Sequence, residues 1–128
     1  MLNEGQAAAT LAVADIDRAR KFYTETLGFS VMQESPSGIL FQGGQGTAFL
    51  VYPSEFAGTN KATAMSINVD DFDATVAELR EKGITFMDFD YPGYKSENGI
   101  IQTPEGPGAW FTDPDGNIIA LAHMEAGS

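Results

Sequence analysis

The feature that most constrains this chain is that one unit is written in it twice. The stretch "LAVADIDRARKFYTETLGF" carries Val13, Asp15, Ile16 and Asp17, and fifty-six residues later "INVDDFDATVAELREKGITF" carries Val69, Asp71, Phe72 and Asp73 in the same places. After a one-residue deletion, "LGF" is matched by "KGI". Such self-similarity marks one supersecondary unit used twice.

Each unit opens with residues alternating as in a strand and then changes to helical spacing, with Ile16, Ala19, Phe22, Tyr23 and Leu27 on one face. Asp15 or Asp17 can cap that helix, because a short carboxylate accepts the free amide hydrogens of a first turn, and Gly28 is placed to stop it. After the first helix come "FSVMQE", "GILFQ" and "TAFLVYP"; after the second come "ITFMDFDY", a long insert, "GAWFTD" and "NIIALAH". These read as strands separated by turns. The expected fold is α+β, two βαβββ modules at residues 7–57 and 62–124 within a single domain spanning 1–128.

Two glycine-bearing turns invite other readings. "GGQG" could cradle phosphate, but that needs a following helix and usually a lysine, and here a strand follows, so it is a hairpin turn. "DPDGN" has too few carboxylates for calcium and reads as a turn shaped by Pro114 and Gly116.

Composition removes several chemistries. With no cysteine there is no thiol nucleophile, thiolate metal site or disulfide. Seven basic against 18 acidic residues give a net charge of −11, which repels nucleic-acid backbones and anionic membranes. The same field favours cationic small molecules, and it also keeps a protein soluble. No stretch reaches membrane-spanning length and the N-terminus lacks a secretory pattern, so a cytoplasmic protein is expected, with neither nucleic-acid nor membrane partner.

"LAVADIDRARKFYTETLGF", "INVDDFDA…ELREKGI" and "AWFTDPDGNIIAL" together resemble the vicinal oxygen chelate superfamily, which includes glyoxalase I, extradiol dioxygenases and bleomycin-resistance proteins. The resemblance runs from about Ala8 to His123. It implies sheets curled into a cup with helices outside and a ligand cavity inside, and a homodimer, which the open sheet edges also favour. Family enzymes hold a divalent metal through His, Glu or Gln on the first and last strand of each module. Carried over, those positions fall on Ala8, Leu50, Ala64 and Ala120, all apolar, so no metal and no other cofactor is expected. The single histidine, His123, falls on the opposite strand face from Ala120 and reads as a surface histidine, exposed or satisfied.

Strand alternation then nominates the cavity lining: Thr10, Leu50, Tyr52, Ser66, Asn68, Trp110, Thr112 and Ala120 on one face, with Leu11, Val13, Phe49, Val51, Ile67, Val69, Phe111, Ile119 and Leu121 packed under the helices. Tyr94 belongs to the insert "DYPGYKSENGIIQTPEGPG", which suits either a flap over the cavity or a plain surface loop. The leading function is metal-free binding of a hydrophobic, aromatic or cationic small molecule such as an antibiotic, as in the drug-sequestering branch of the family. The alternative is a metal-independent acid–base enzyme, an isomerase or lyase using Tyr52, Tyr94, Asp88 or Glu97, although no triad or carboxylate pair is visible. Glyoxalase-like metal catalysis is disfavoured by the alanines.

Overall fold

The computed structural model describes residues 1–123. The chain divides into two compact units, Met1–Asn60 with Pro114–Asn117, and Lys61–Asp113 with the chain from Ile118 on. Its class is α+β, with one four-stranded sheet for each repeat.

In the first unit, β1 (Ala9–Val13) leads into α1 (Ile16–Lys21), followed by β2 (Ser30–Ser35), β3 (Gly38–Gln42) and β4 (Ala48–Pro53). Asp15 is the helix cap, its carboxylate accepting from the amides of Asp17 at 3.0 Å and Arg18 at 3.1 Å. The helix continues through Phe22–Thr26 as a wider turn, in which the amide of Leu27 donates to the carbonyl of Phe22 at 3.0 Å. Gly28 then ends it at φ +83°, a conformation that costs glycine little. Tyr23, in the widened turn, is fully buried beside Phe41 and Phe49, with ring centroids 5.5 and 5.6 Å away. Leu11, Val13, Ile39 and Val51 complete this core. The sheet order is β1-β4-β3-β2, with β1 parallel to β4 and the other pairs antiparallel. "GGQG" is the expected tight connection between β3 and β4.

The "DPDGN" turn does more than reverse the chain. One oxygen of Asp115 accepts from the amide of Ala14 and from the guanidinium of Arg18, both at 2.9 Å, and the amide nitrogen of Asn117 donates to the carbonyl of Ala12 at 2.9 Å. These side chains satisfy the backbone where β1 gives way to α1.

In the second unit, β5 (Thr63–Asn68) leads to α2 (Phe72–Glu81), capped by Asp71 through the amide of Ala74 at 3.1 Å. Next come β6 (Asp90–Tyr91), β7 (Tyr94–Lys95), β8 (Ile100–Thr103), β9 (Gly106–Thr112) and β10 (Ile118–Ala122). The order β5-β10-β9-β8, with β5 parallel to β10, reproduces the first sheet. The registers agree as well: Thr10 pairs with Leu50 as Ser66 pairs with Ala120. Phe72, Val76, Leu79, Phe86, Ile101, Phe111, Ile119 and Leu121 form the core.

Two expectations are corrected. "ITFMDFDY" is not the ladder strand that follows α2: Ile84–Phe89 lies outside the sheet ladder, and the amide of Met87 donates one bond to the carbonyl of Trp110 at 2.7 Å. The outer strand is β8, from the insert that was expected to be irregular, and the same insert forms the two-stranded ribbon β6–β7. β8 takes the edge of β9 at Gly106–Ala109, and Met87 bonds to it just beyond, at Trp110. Gly99 brings the start of β8 so close to Phe86 that an added Cβ would lie 2.6 Å from that side chain, while Ile101 is buried. Among the described residues, no helix is long and apolar enough to cross a membrane.

Candidate ligand cleft

Strand β9 separates two aromatic neighbours. Phe111 is 1% exposed and meets Phe86 edge-on at 5.8 Å, so Trp110 emerges on the opposite face, half-buried. The indole folds back over Gly108, where a side chain would come within 3.0 Å of its Cη2 atom, and Phe89 meets it edge-on at 5.5 Å. Trp110 pairs with Ala120, Ala120 with Ser66, and Gly108 with Ala122. A large aromatic therefore lies among very small neighbours. The space left is a cleft of about 400 Å³ lined by Thr63, Ser66, Thr103, Glu105, Trp110 and Ala120 among others.

The cleft offers an indole for stacking, hydroxyls for orientation and one carboxylate at the β8–β9 turn. Thr103 already donates to the carbonyl of Gly106 at 2.7 Å. His123 borders the cleft, half-buried, with Nδ1 2.6 Å from the carbonyl of Val69, so that nitrogen carries the hydrogen and donates it. It is satisfied, as expected, but it is not simply exposed. It follows the last residue of β10, and its amide lies 3.4 Å from the carbonyl of Pro107.

Of the residues nominated from sequence, the cleft collects Ser66, Trp110 and Ala120. Asn68, paired with Ala122, shares their strand face by alternation but lies outside the lining. Thr112 is exposed at the end of β9, opposite Ile118, and is also outside it. Tyr94 is 61% exposed, sits opposite Tyr91 in the ribbon, and does not line this cleft. In the first unit, Thr10 pairs with Leu50 and Ala12 with Tyr52, all on the strand face opposite buried Leu11 and Val51. Gly108, Phe89, Thr63, Thr103 and Glu105 were not foreseen. For Gly108 a signal existed: in "GPGAW" a glycine two residues before a tryptophan leaves room for the ring to fold back.

The sequence matches the Glyoxalase/Bleomycin resistance protein/Dioxygenase superfamily over residues 5–121. The chain belongs to this superfamily. No curated protein matches it in sequence. Among solved structures, an antibiotic-binding protein, TnmS3 from Streptomyces sp. CB03234, is 27% identical with a TM-score of 0.62, over 94% of this chain and 98% of that one. A bleomycin-binding protein complexed with bleomycin has a TM-score of 0.73 at 22% identity, over 94% and 99% of the two chains. The lactoylglutathione lyase of Agrobacterium tumefaciens has a TM-score of 0.69 at 16% identity, over 93% and 92%. The last two likenesses concern the fold alone.

The metal of the family's enzymes can be tested against the residues present. The positions that the resemblance assigns to its ligands are Ala8, Leu50, Ala64 and Ala120, and a methyl or isobutyl group donates no electron pair. Among the described residues, no three His, Cys, Asp or Glu side chains gather to hold an ion. The donor set does not fit such a metal.

Proposed function

We propose that this protein binds a small molecule with a flat aromatic or hydrophobic part and releases it unconverted, with no metal in the site. The observation that carries this reading is the half-exposed Trp110 indole, spread over Gly108 beside Ala120, where a family enzyme would place a metal ligand. An indole face bordered by small residues rewards stacking, and the nearby hydroxyls can orient a guest without activating it. Ser66, Trp110 and Ala120 contact the ligand in this reading. Thr10, Leu50, Tyr52, Asn68, Tyr94 and Thr112 are further candidate contacts, to be tested by substitution. The antibiotic-binding relative favours an antibiotic-like guest, and the role read here is its sequestration in the cytoplasm.

The protein is further proposed to act as a homodimer. All six residues of the edge strand β2 are exposed, including Val31 and Met32, and such an edge is ordinarily paired or covered. Light scattering at micromolar concentration tests this separately. For the binding function, fluorescence of the single tryptophan is followed while bleomycin and other aromatic antibiotics are added, and each ligand is weighed by mass spectrometry before and after incubation. Saturable change with unchanged ligand mass supports the reading. Turnover of a bound ligand refutes it.

A further inference from the structure

Of the seven basic residues in a chain with 18 acidic ones, Arg18, Arg20 and Lys82 each pair with a carboxylate, and among the described residues Lys21 shows no such pair. Arg80 and Lys95 show none either: among the described residues, neither has an Asp or Glu within ion-pair distance. Yet both line one cleft of about 490 Å³, together with Glu97, Ile100, Ile101 and Gln102.

The cleft is built around a guanidinium that is held in place. The Cζ of Arg80 sits 5.6 Å from the centroid of the Phe86 ring, and its Nη2 donates to the carbonyl of Asn98. Asn98 adopts φ +53°, a left-handed conformation that a non-glycine residue takes at a cost, and Gly99 next to it is pressed against Phe86. The loop is thus fixed while presenting its carbonyl to Arg80. Of the five N–H donors of a guanidinium, most remain for an acceptor, and Lys95 on β7 and the amide of Gln102 on β8 add more. Glu97 has its main chain bridged to Ile100 and its carboxylate paired with neither cation. Phe86 packs on Phe111, so this cleft belongs to the sheet face opposite Trp110.

We infer that the Arg80–Lys95 cleft is a second binding site, one that takes the carboxylate or phosphate group of a small molecule. Two cations, one of them a fixed guanidinium, supply charge-assisted hydrogen bonds to such an oxyanion, and Ile100 provides an apolar surface for its carbon part. The inference is independent of the ligand read for the Trp110 cleft.

The test is an NMR titration of the full chain with inorganic phosphate and, separately, with citrate, each against sodium chloride at matched ionic strength. Saturable shifts at Arg80, Lys95 and Gln102, with the Trp110 indole signal unmoved, are expected for at least one of the two anions. The one that binds more tightly names the source, phosphoryl or carboxyl. Lys95→Gln should weaken binding about tenfold, the loss of one charged hydrogen bond. Glu97→Gln should tighten it by removing a like charge. Both residues are exposed, so the fold survives both changes. Equal shifts with chloride, no saturation with either anion, unchanged affinity in both variants, or movement of the indole signal in step with the anion would each overturn the inference.

Discussion

Trp110 and Phe111 are adjacent, of similar kind and on opposite faces of one strand, so truncating each in turn separates a binding residue from a core residue. Phe111 is 1% exposed and packs on Phe86, so Phe111→Ala opens a hole in the core and should cost about 3–5 kcal/mol. At about 3–4 °C per kcal/mol for a domain of this size, the melting temperature should fall by roughly 10–20 °C. The indole of Trp110 is half-buried, which leaves about 100 Å² of apolar contact, or roughly 2–3 kcal/mol, and its loss opens onto an existing cleft. Trp110→Ala should therefore melt well above Phe111→Ala while losing about 1–3 kcal/mol of ligand binding, roughly 5- to 150-fold in Kd. Melting is followed by far-UV circular dichroism. Binding is followed by calorimetry, because the variant lacks the fluorophore. Should Trp110→Ala melt as low as Phe111→Ala and bind an identified ligand as wild type does, Trp110 is core and the site lies elsewhere.

Other expected outcomes rest on separate contacts. Gly108→Ala places a methyl 3.0 Å from the indole, so the ring must move; its emission should shift and ligand binding should weaken several-fold, with stability changed by about 1 kcal/mol or less as measured in urea. Asp115→Ala removes the acceptor for Ala14 and Arg18 and should cost about 2 kcal/mol in the same assay, with Asp115→Asn recovering part of the loss because it still accepts from the Ala14 amide. Metal analysis of purified protein should find no stoichiometric transition ion; about one tightly held ion per chain would show that the ligand positions were assigned in the wrong register.

The repeat was legible because it is encoded in short-range chemistry. Asp15 and Asp71 both cap helices, and the alternation that buries Leu11 and Phe111 while leaving Thr10 and Trp110 on the other face needs nothing beyond strand geometry. "ITFMDFDY" misled for a physical reason. Alternation reports which side chains are buried, and Phe86 is buried, but a ladder needs repeated backbone pairing: β8 takes β9 at Gly106–Ala109, and the segment reaches β9 beyond it through the Met87 bond to Trp110. The strand signal of β8, "GIIQT", sat inside a glycine- and proline-rich insert whose composition reads as loop. In the site, the apolar side chains at Ala120 and its counterparts could be read directly from the sequence. The edge-on contact of Phe89 with Trp110 and the contribution of Glu105 could not, because both come from connections whose path depends on tertiary packing.

The proposed function needs a ligand held on Trp110 without metal and without conversion. One NMR titration tests it most directly: protein stripped with chelator, bleomycin and other aromatic antibiotics added in turn, and the single indole N–H signal followed together with the amides of Ser66 and Ala120. Saturable, one-to-one shifts of those three signals are expected in the absence of any divalent ion, with the ligand's own resonances unchanged over time. Shifts that arise only after a divalent metal is restored, or ligand resonances that turn into those of a product, would contradict that function.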